Sequence, residues 1–117
     1  SQVNQMVTSA VLKKHGCMTD IAQDGEQAIA KTADRKYNLI LMDYHLPVLS
    51  GLEVYKKIRH TPENDNCNTP VIFLSGDAHG SLSAKAEGVE GYLLKPVSEA
   101  VMINTIQQVL QGKSTLP

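Results

Sequence analysis

The sequence predicts an α/β domain built on a parallel sheet with helices on both faces. Short apolar runs alternate with helical patterns along the chain, the signature of strand–helix–strand units. The clearest runs, Leu39–Met42 and Val71–Leu74, are continuously apolar, as in strands buried on both faces. Three strand candidates end on chemically useful side chains, Asp43, Ser75 and Lys95. In an open parallel sheet the carboxyl ends of the strands are where ligands and chemistry sit.

Residues 3–14 read as an amphipathic helix, with Val3, Met6, Val7, Ala10 and Val11 on one face and Gly16 as its stop. Cys17–Ala22 is a short strand candidate, and Asp24-Gly25 a turn. Glu26–Lys36 is a second helix facing inward through Ala28, Ile29, Thr32 and Ala33. The strand Leu39–Asp43 follows. Pro47 and Gly51 then punctuate a loop before a helix over Gly51–His60, with Leu52, Tyr55 and Ile58 inward. Thr61–Thr69 is polar and Asn-rich and reads as a surface loop. Pro70–Ser75 is a buried strand, Ser81–Glu87 a weak helix, and Gly91–Lys95 the last strand. Ser98 is suited to cap the final helix, Glu99–Gln111, whose inner face is Met102, Ile106, Val109 and Leu110. A helix thus opens the chain with no strand before it, and four strands serve five helices. A strand is expected ahead of residue 1.

Composition narrows the function classes. A chain of 117 residues, 42% hydrophobic and 20% charged, fits one ordinary globular domain. A net charge of −1 with no basic run argues against a nucleic-acid surface. No apolar stretch is long enough to span a membrane, and no leader sequence is recognisable. Cys17 and Cys67 form neither a metal-spaced pair nor a redox motif, so a reduced, cytoplasmic setting is expected.

Parallel strands bring Asp43, Ser75 and Lys95 to one sheet edge. Singly, each has an ordinary explanation: a turn aspartate, a capping serine, a snorkelling lysine. Together they suit phosphoryl chemistry. The carboxylate can act as nucleophile and carry an acyl phosphate. The ammonium can neutralise phosphoryl charge, and the hydroxyl can donate a hydrogen bond to a phosphoryl oxygen.

The segments LILMDYHLPVLSG (residues 39–51), VIFLSGDA (71–78) and GYLLKP (91–96) resemble a response-regulator receiver domain. So do the opening VNQMV and the DGEQA of residues 24–28, which are closest to receivers of hybrid sensor kinases. The resemblance spans essentially the whole chain, read as one receiver domain over residues 1–117, N-terminally incomplete. It implies a flavodoxin-like doubly wound fold with its first strand missing from this chain. It also implies phosphoryl transfer from the phosphohistidine of a sensor kinase or phosphotransfer domain to Asp43, with Mg²⁺. Ser75 then resembles the switch hydroxyl, Lys95 the phosphoryl-contacting lysine, and Tyr92 the switch aromatic. Asp43 and the backbone carbonyl of His45 would be metal ligands. His45 and Asp77 would tune the phosphoryl lifetime. Lys95-Pro96 matches a bond often cis in the family.

The chain departs from the family at its start. Receivers begin with a hydrophobic strand ending in an acidic pair that supplies most of the metal ligands. Ser1-Gln2 stands at the end of that segment, and neither Asp20 nor Asp24 is placed to substitute. Mg²⁺ binding is therefore expected to be lost or weakened. The family's first strand lies in mid-sheet, so two unpaired edges are expected, with instability of a monomer or pairing into a homodimer as the consequence. Low helix propensity around Gly76, Gly80, Gly88 and Gly91 predicts a mobile segment over Ala78–Glu87. The rival reading is a docking module that is not phosphorylated. An aspartyl phosphatase is disfavoured, because the acid expected two residues after the nucleophile is His45. The domain itself is read as a phosphoacceptor and not an enzyme, though it fits within a hybrid histidine kinase.

Overall fold

The computed structural model describes residues 10–113. Residues 10–14 are helical and stop at Gly16, which has φ +86°. The named elements are α1 (Gly25–Asp34), β1 (Ile40–Asp43), α2 (Gly51–Arg59), β2 (Val71–Ser75), α3 (Ser81–Ala86), β3 (Gly91–Leu94) and α4 (Glu99–Leu110). The strands form one parallel sheet in the order β1-β2-β3.

Side-chain alternation along the strands divides the core in two. Ile40, Met42, Val71 and Phe73 face one side and meet Ala28 and Ile29 of α1, Val54, Tyr55 and Ile58 of α2, and Ala84 of α3. Leu39, Leu41, Ile72 and Leu93 face the other side, against Leu12 and against Met102, Ile106 and Val109 of α4. This is the doubly wound arrangement that the apolar runs predict. The helix starts are chemically defined. Asp24 caps α1 by accepting from the Gln27 amide, Ser50 and Glu53 form a reciprocal capping box on α2, and Ser98 caps α4.

Several expectations are corrected. Residues 17–22 are not a strand. A strand exists by pairing, and among the described residues no ladder is offered to this segment. It is held instead through Asp20, whose carboxylate accepts from the Tyr37 hydroxyl at 2.7 Å and pairs with Arg35 at 3.2 Å. Ala10, Ala33 and Leu110 are exposed and not inward. In α1 and α4 the buried places near these ends are Thr32 and Val109. The 61–69 loop is not wholly a surface loop, since Asn66 and Thr69 are buried. The rest of the opening-helix face, Val3, Met6 and Val7, lies outside the described residues, as does Ser1-Gln2.

Asn66 is the polar keystone of the sheet's amino edge. Its Nδ2 donates to the carbonyls of Thr32 and Arg35, both at 2.7 Å. Its Oδ1 accepts from the Tyr37 amide at 2.8 Å and the Thr69 hydroxyl at 2.9 Å. One buried side chain thus ties the end of α1 to the approaches of β1 and β2.

Candidate functional site

The register of the ladder fixes the site. Asp43 lies opposite Leu74, and Ser75 opposite Leu94. The Tyr44 amide continues the ladder to Leu74 O at 2.8 Å, and the Lys95 amide to Ser75 O at 2.7 Å. All three predicted side chains therefore leave the sheet at its carboxyl edge. β1 and β3 are not neighbours, so at about 4.8 Å per strand they stand roughly 10 Å apart. Lys95 spans that distance over the end of β2, and its Nζ lies 2.6 Å from Asp43 Oδ1. The Asp43 side chain is 23% exposed and that of Lys95 36% exposed, so the pair is desolvated in part but reachable.

Ser75 is buried, and its Oγ accepts from the Asp77 amide at 3.2 Å. Asp77 in turn faces His45, with Nε2 to Oδ2 at 3.5 Å, and lies 4.0 Å from His79. The Tyr92 hydroxyl donates to the Asp77 carbonyl at 3.0 Å. His45, Asp77 and Tyr92 thus form the rim beside the Asp43–Lys95 pair. The Lys95-Pro96 bond is cis, as the resemblance implies.

The loop after Asp43 is tightly built. The Gly51 amide donates to Tyr44 O at 2.8 Å. A Cβ on Gly51 would collide with the Asp43 carbonyl and come within 3.0 Å of Tyr44 Cα, so only glycine lets α2 start this close to β1. Val48 has φ +68°, and the Leu49 amide donates across it to Pro47 O at 2.8 Å. That is a γ-turn of the strained, positive-φ kind, here centred on a β-branched residue. Leu49 packs toward Gly25 at the start of α1, which anchors the loop's far end.

The described residues do not make a divalent-cation site by themselves. They contain no group of three or more His, Cys, Asp or Glu side chains able to hold a metal. Mg²⁺ requires an octahedron of oxygens. Asp43 supplies one carboxylate here, already engaged by Lys95, and Asp77 is turned to His45.

Residues 1–107 match the family described as the response regulator receiver domain. The chain belongs to that family. Response regulator mcs4 of Schizosaccharomyces pombe is 31% identical over 122 residues, covering 82% of this chain and 23% of that protein. Hybrid signal transduction histidine kinase I of Dictyostelium discoideum is 32% identical, over 89% of this chain and 6% of the kinase. The receiver domain thus spans a small part of these relatives. Among solved structures, the receiver domain of a Pseudomonas aeruginosa sensor histidine kinase, with magnesium coordinated in its active-site cleft, superposes with a TM-score of 0.82. Its identity is 32%, over 97% of this chain and 92% of that one. Vibrio cholerae chemotaxis protein CheY4 gives 0.81 at 30% identity, over 92% and 89%. The fold is the flavodoxin-like receiver fold. Among the described residues, no helix of this receiver is long and apolar enough to cross a membrane.

Two features of the site have no signal in spacing alone. One is Tyr44, whose ring packs against Phe73, Tyr92 and the start of α3 at Gly80. The other is the γ-turn at Val48. A tyrosine beside a strand-end aspartate and an apolar residue after Pro47 are both unremarkable as sequence.

Proposed function

We propose that this receiver accepts a phosphoryl group on Asp43 from a partner's phosphohistidine, and that it switches conformation as a result. The observation that carries this reading is the 2.6 Å Asp43–Lys95 pair at the carboxyl edge of a parallel sheet. An Asp43 oxygen attacks phosphorus, the new P–O bond forms as the P–N bond breaks, and the donor imidazole leaves with the electron pair. Lys95 is already in place to move its charge from the carboxylate to a phosphoryl oxygen. The Ser75 hydroxyl, on the last residue of β2, would swing its Oγ toward another phosphoryl oxygen and donate its proton there. Its present partner is the Asp77 amide, so that move loosens the 76–80 loop, and Tyr92 is released from the Asp77 carbonyl. His45 and Asp77 shield the rim and set access of water to the acyl phosphate, hence its lifetime.

Mg²⁺ binding is weak on this oxygen set, with Asp43 and the His45 carbonyl as the chain's contribution. One receiver unit over residues 1–117 is the domain reading, and the outer edge of β1 is unpaired among the described residues. A second copy could cover the same edge and give a homodimer. The partner is a cytoplasmic sensor kinase or phosphotransfer domain, within one hybrid protein or between two proteins. The deficient cation site favours a second reading, a docking module that is not phosphorylated. Incubation with a radiolabelled histidine-phosphotransfer domain separates the two. Label should move to this chain and be lost in Asp43→Asn. Labelling that persists in Asp43→Asn would refute the acceptor assignment, and absence of label with several donors would favour docking.

A further inference from the structure

Tyr44 follows the acceptor directly, yet its ring lies away from the Asp43–Lys95 pair. Its backbone is pinned on both sides, by its amide to Leu74 O and by Gly51 to its own carbonyl, each at 2.8 Å. Its ring meets Phe73 edge-on at 5.3 Å, Tyr92 at 5.7 Å and His45 at 5.2 Å between centroids. It also lies against Gly80, the residue that precedes α3. A Cβ on Gly80 would fall on Tyr44 Cζ and within 2.6 and 2.8 Å of Cε1 and Cε2. Gly80 has φ −85° and ψ −6°, open to any residue. Glycine stands there because the ring needs the space, and not because the backbone needs the conformation.

The ring therefore touches His45, Tyr92 and the last residue of the 76–80 loop. The 76–80 loop ends at Gly80. Tyr92 is tethered to that loop through the Asp77 carbonyl, and Ser75 through the Asp77 amide. Close-packed groups of this kind shift together or not at all, because aromatic contacts have few alternative arrangements. We propose that Tyr44 is the positioning residue that couples the β1 end to the start of α3 and to Tyr92, so that these two respond as one. The proposal rests on the phosphoacceptor reading only for what triggers the movement.

The test is a double-mutant cycle followed by nuclear magnetic resonance on the full chain, with no phosphodonor. Gly80→Ala drives its methyl into the Tyr44 ring, and the Tyr92 ring resonances should move with it. In a Tyr44→Ala background the methyl has room, and the Tyr92 shift should fall by about threefold or more, a non-additivity expected only of coupled neighbours. Tyr44→Phe keeps the ring contacts and should restore the full shift. Tyr44→Leu, which fills volume without the ring, replaces the alanine variant if that fails to fold. An equal Tyr92 shift with and without the ring would overturn the proposal. A second arm adds acetyl phosphate and Mg²⁺. If the cycle shows coupling but no phosphoryl group is gained, the acceptor reading fails and the coupling stands. If the label is gained and Gly80 and Tyr92 still move together in Tyr44→Ala, the coupling fails and the acceptor reading stands.

Discussion

Replacing Asn66 tests how the amino ends of β1 and β2 are held. The side chain is 1% exposed and makes four hydrogen bonds, to Thr32 O, Arg35 O, the Tyr37 amide and the Thr69 hydroxyl. A net value of about 1 kcal/mol per bond gives about 4 kcal/mol for Asn66→Ala. Water reaching the half-buried Tyr37 amide and the Arg35 carbonyl recovers part, which leaves a loss of about 3 kcal/mol. At about 4–8 °C per kcal/mol, Tm should fall by roughly 12–24 °C. Asn66→Asp is the sharper variant. It keeps the acceptor toward Tyr37 and Thr69 but turns a carboxylate oxygen onto two carbonyls that now receive a donor. It should be at least as damaging as alanine, although it is nearly isosteric. Urea unfolding followed by circular dichroism measures both. The phosphoryl acceptance of either variant, assayed where it is still folded, should match the parent, because Asn66 sits at the opposite sheet edge from Asp43. A loss below about 1 kcal/mol for alanine, or an aspartate variant more stable than the alanine one, would refute the clamp.

Other perturbations separate site from scaffold. Lys95→Ala should slow phosphoryl transfer to Asp43 by roughly 100-fold, the usual effect of losing one preorganised charge partner, as read by initial labelling rates. Val48→Gly should raise stability by about 1 kcal/mol, because glycine has no Cβ to strain at φ +68°, and the urea midpoint reports it. The carboxyls of Asp20, hydrogen-bonded by the Tyr37 hydroxyl, and of Glu99, hydrogen-bonded by Lys14 and then His15, are both held below their ordinary values. Their contribution is present above the unfolded carboxylate range and is lost as pH falls through the folded values, so the midpoint should drop on acidification. Tyr37→Phe should flatten that limb. Burial raises the Tyr55 hydroxyl above its ordinary value of 10.0, so its contribution is present below that pH and is lost as pH rises through the folded value. Amide exchange over residues 78–87 should be faster than in β1, and equal protection would rule out the mobile segment.

What the sequence could reveal follows from what is local. The ends of β1, β2 and β3 are legible because a buried strand must be apolar and must stop where a charge or hydroxyl appears. Ser50 and Ser98 are legible because capping is settled within one turn of helix. Residues 17–22 mislead because a short run can suit a sheet with no neighbouring strand present to pair with it. Asn66 misleads because an asparagine in an Asn-rich loop has the same local sequence whether it faces water or closes four hydrogen bonds inside the fold. Tyr44 is opaque for a related reason, since its partners Phe73, Gly80 and Tyr92 come from three separate segments. The neighbours of Asp43 along the chain could be read, and its neighbours in space could not.

The central claim is that Asp43 carries the phosphoryl group. It is tested most directly by intact-mass spectrometry of the chain before and after incubation with acetyl phosphate and excess Mg²⁺, beside Asp43→Asn treated identically. The account predicts a gain of one phosphoryl group in the parent and none in the asparagine variant. No gain in the parent, or the same gain in both, would contradict it.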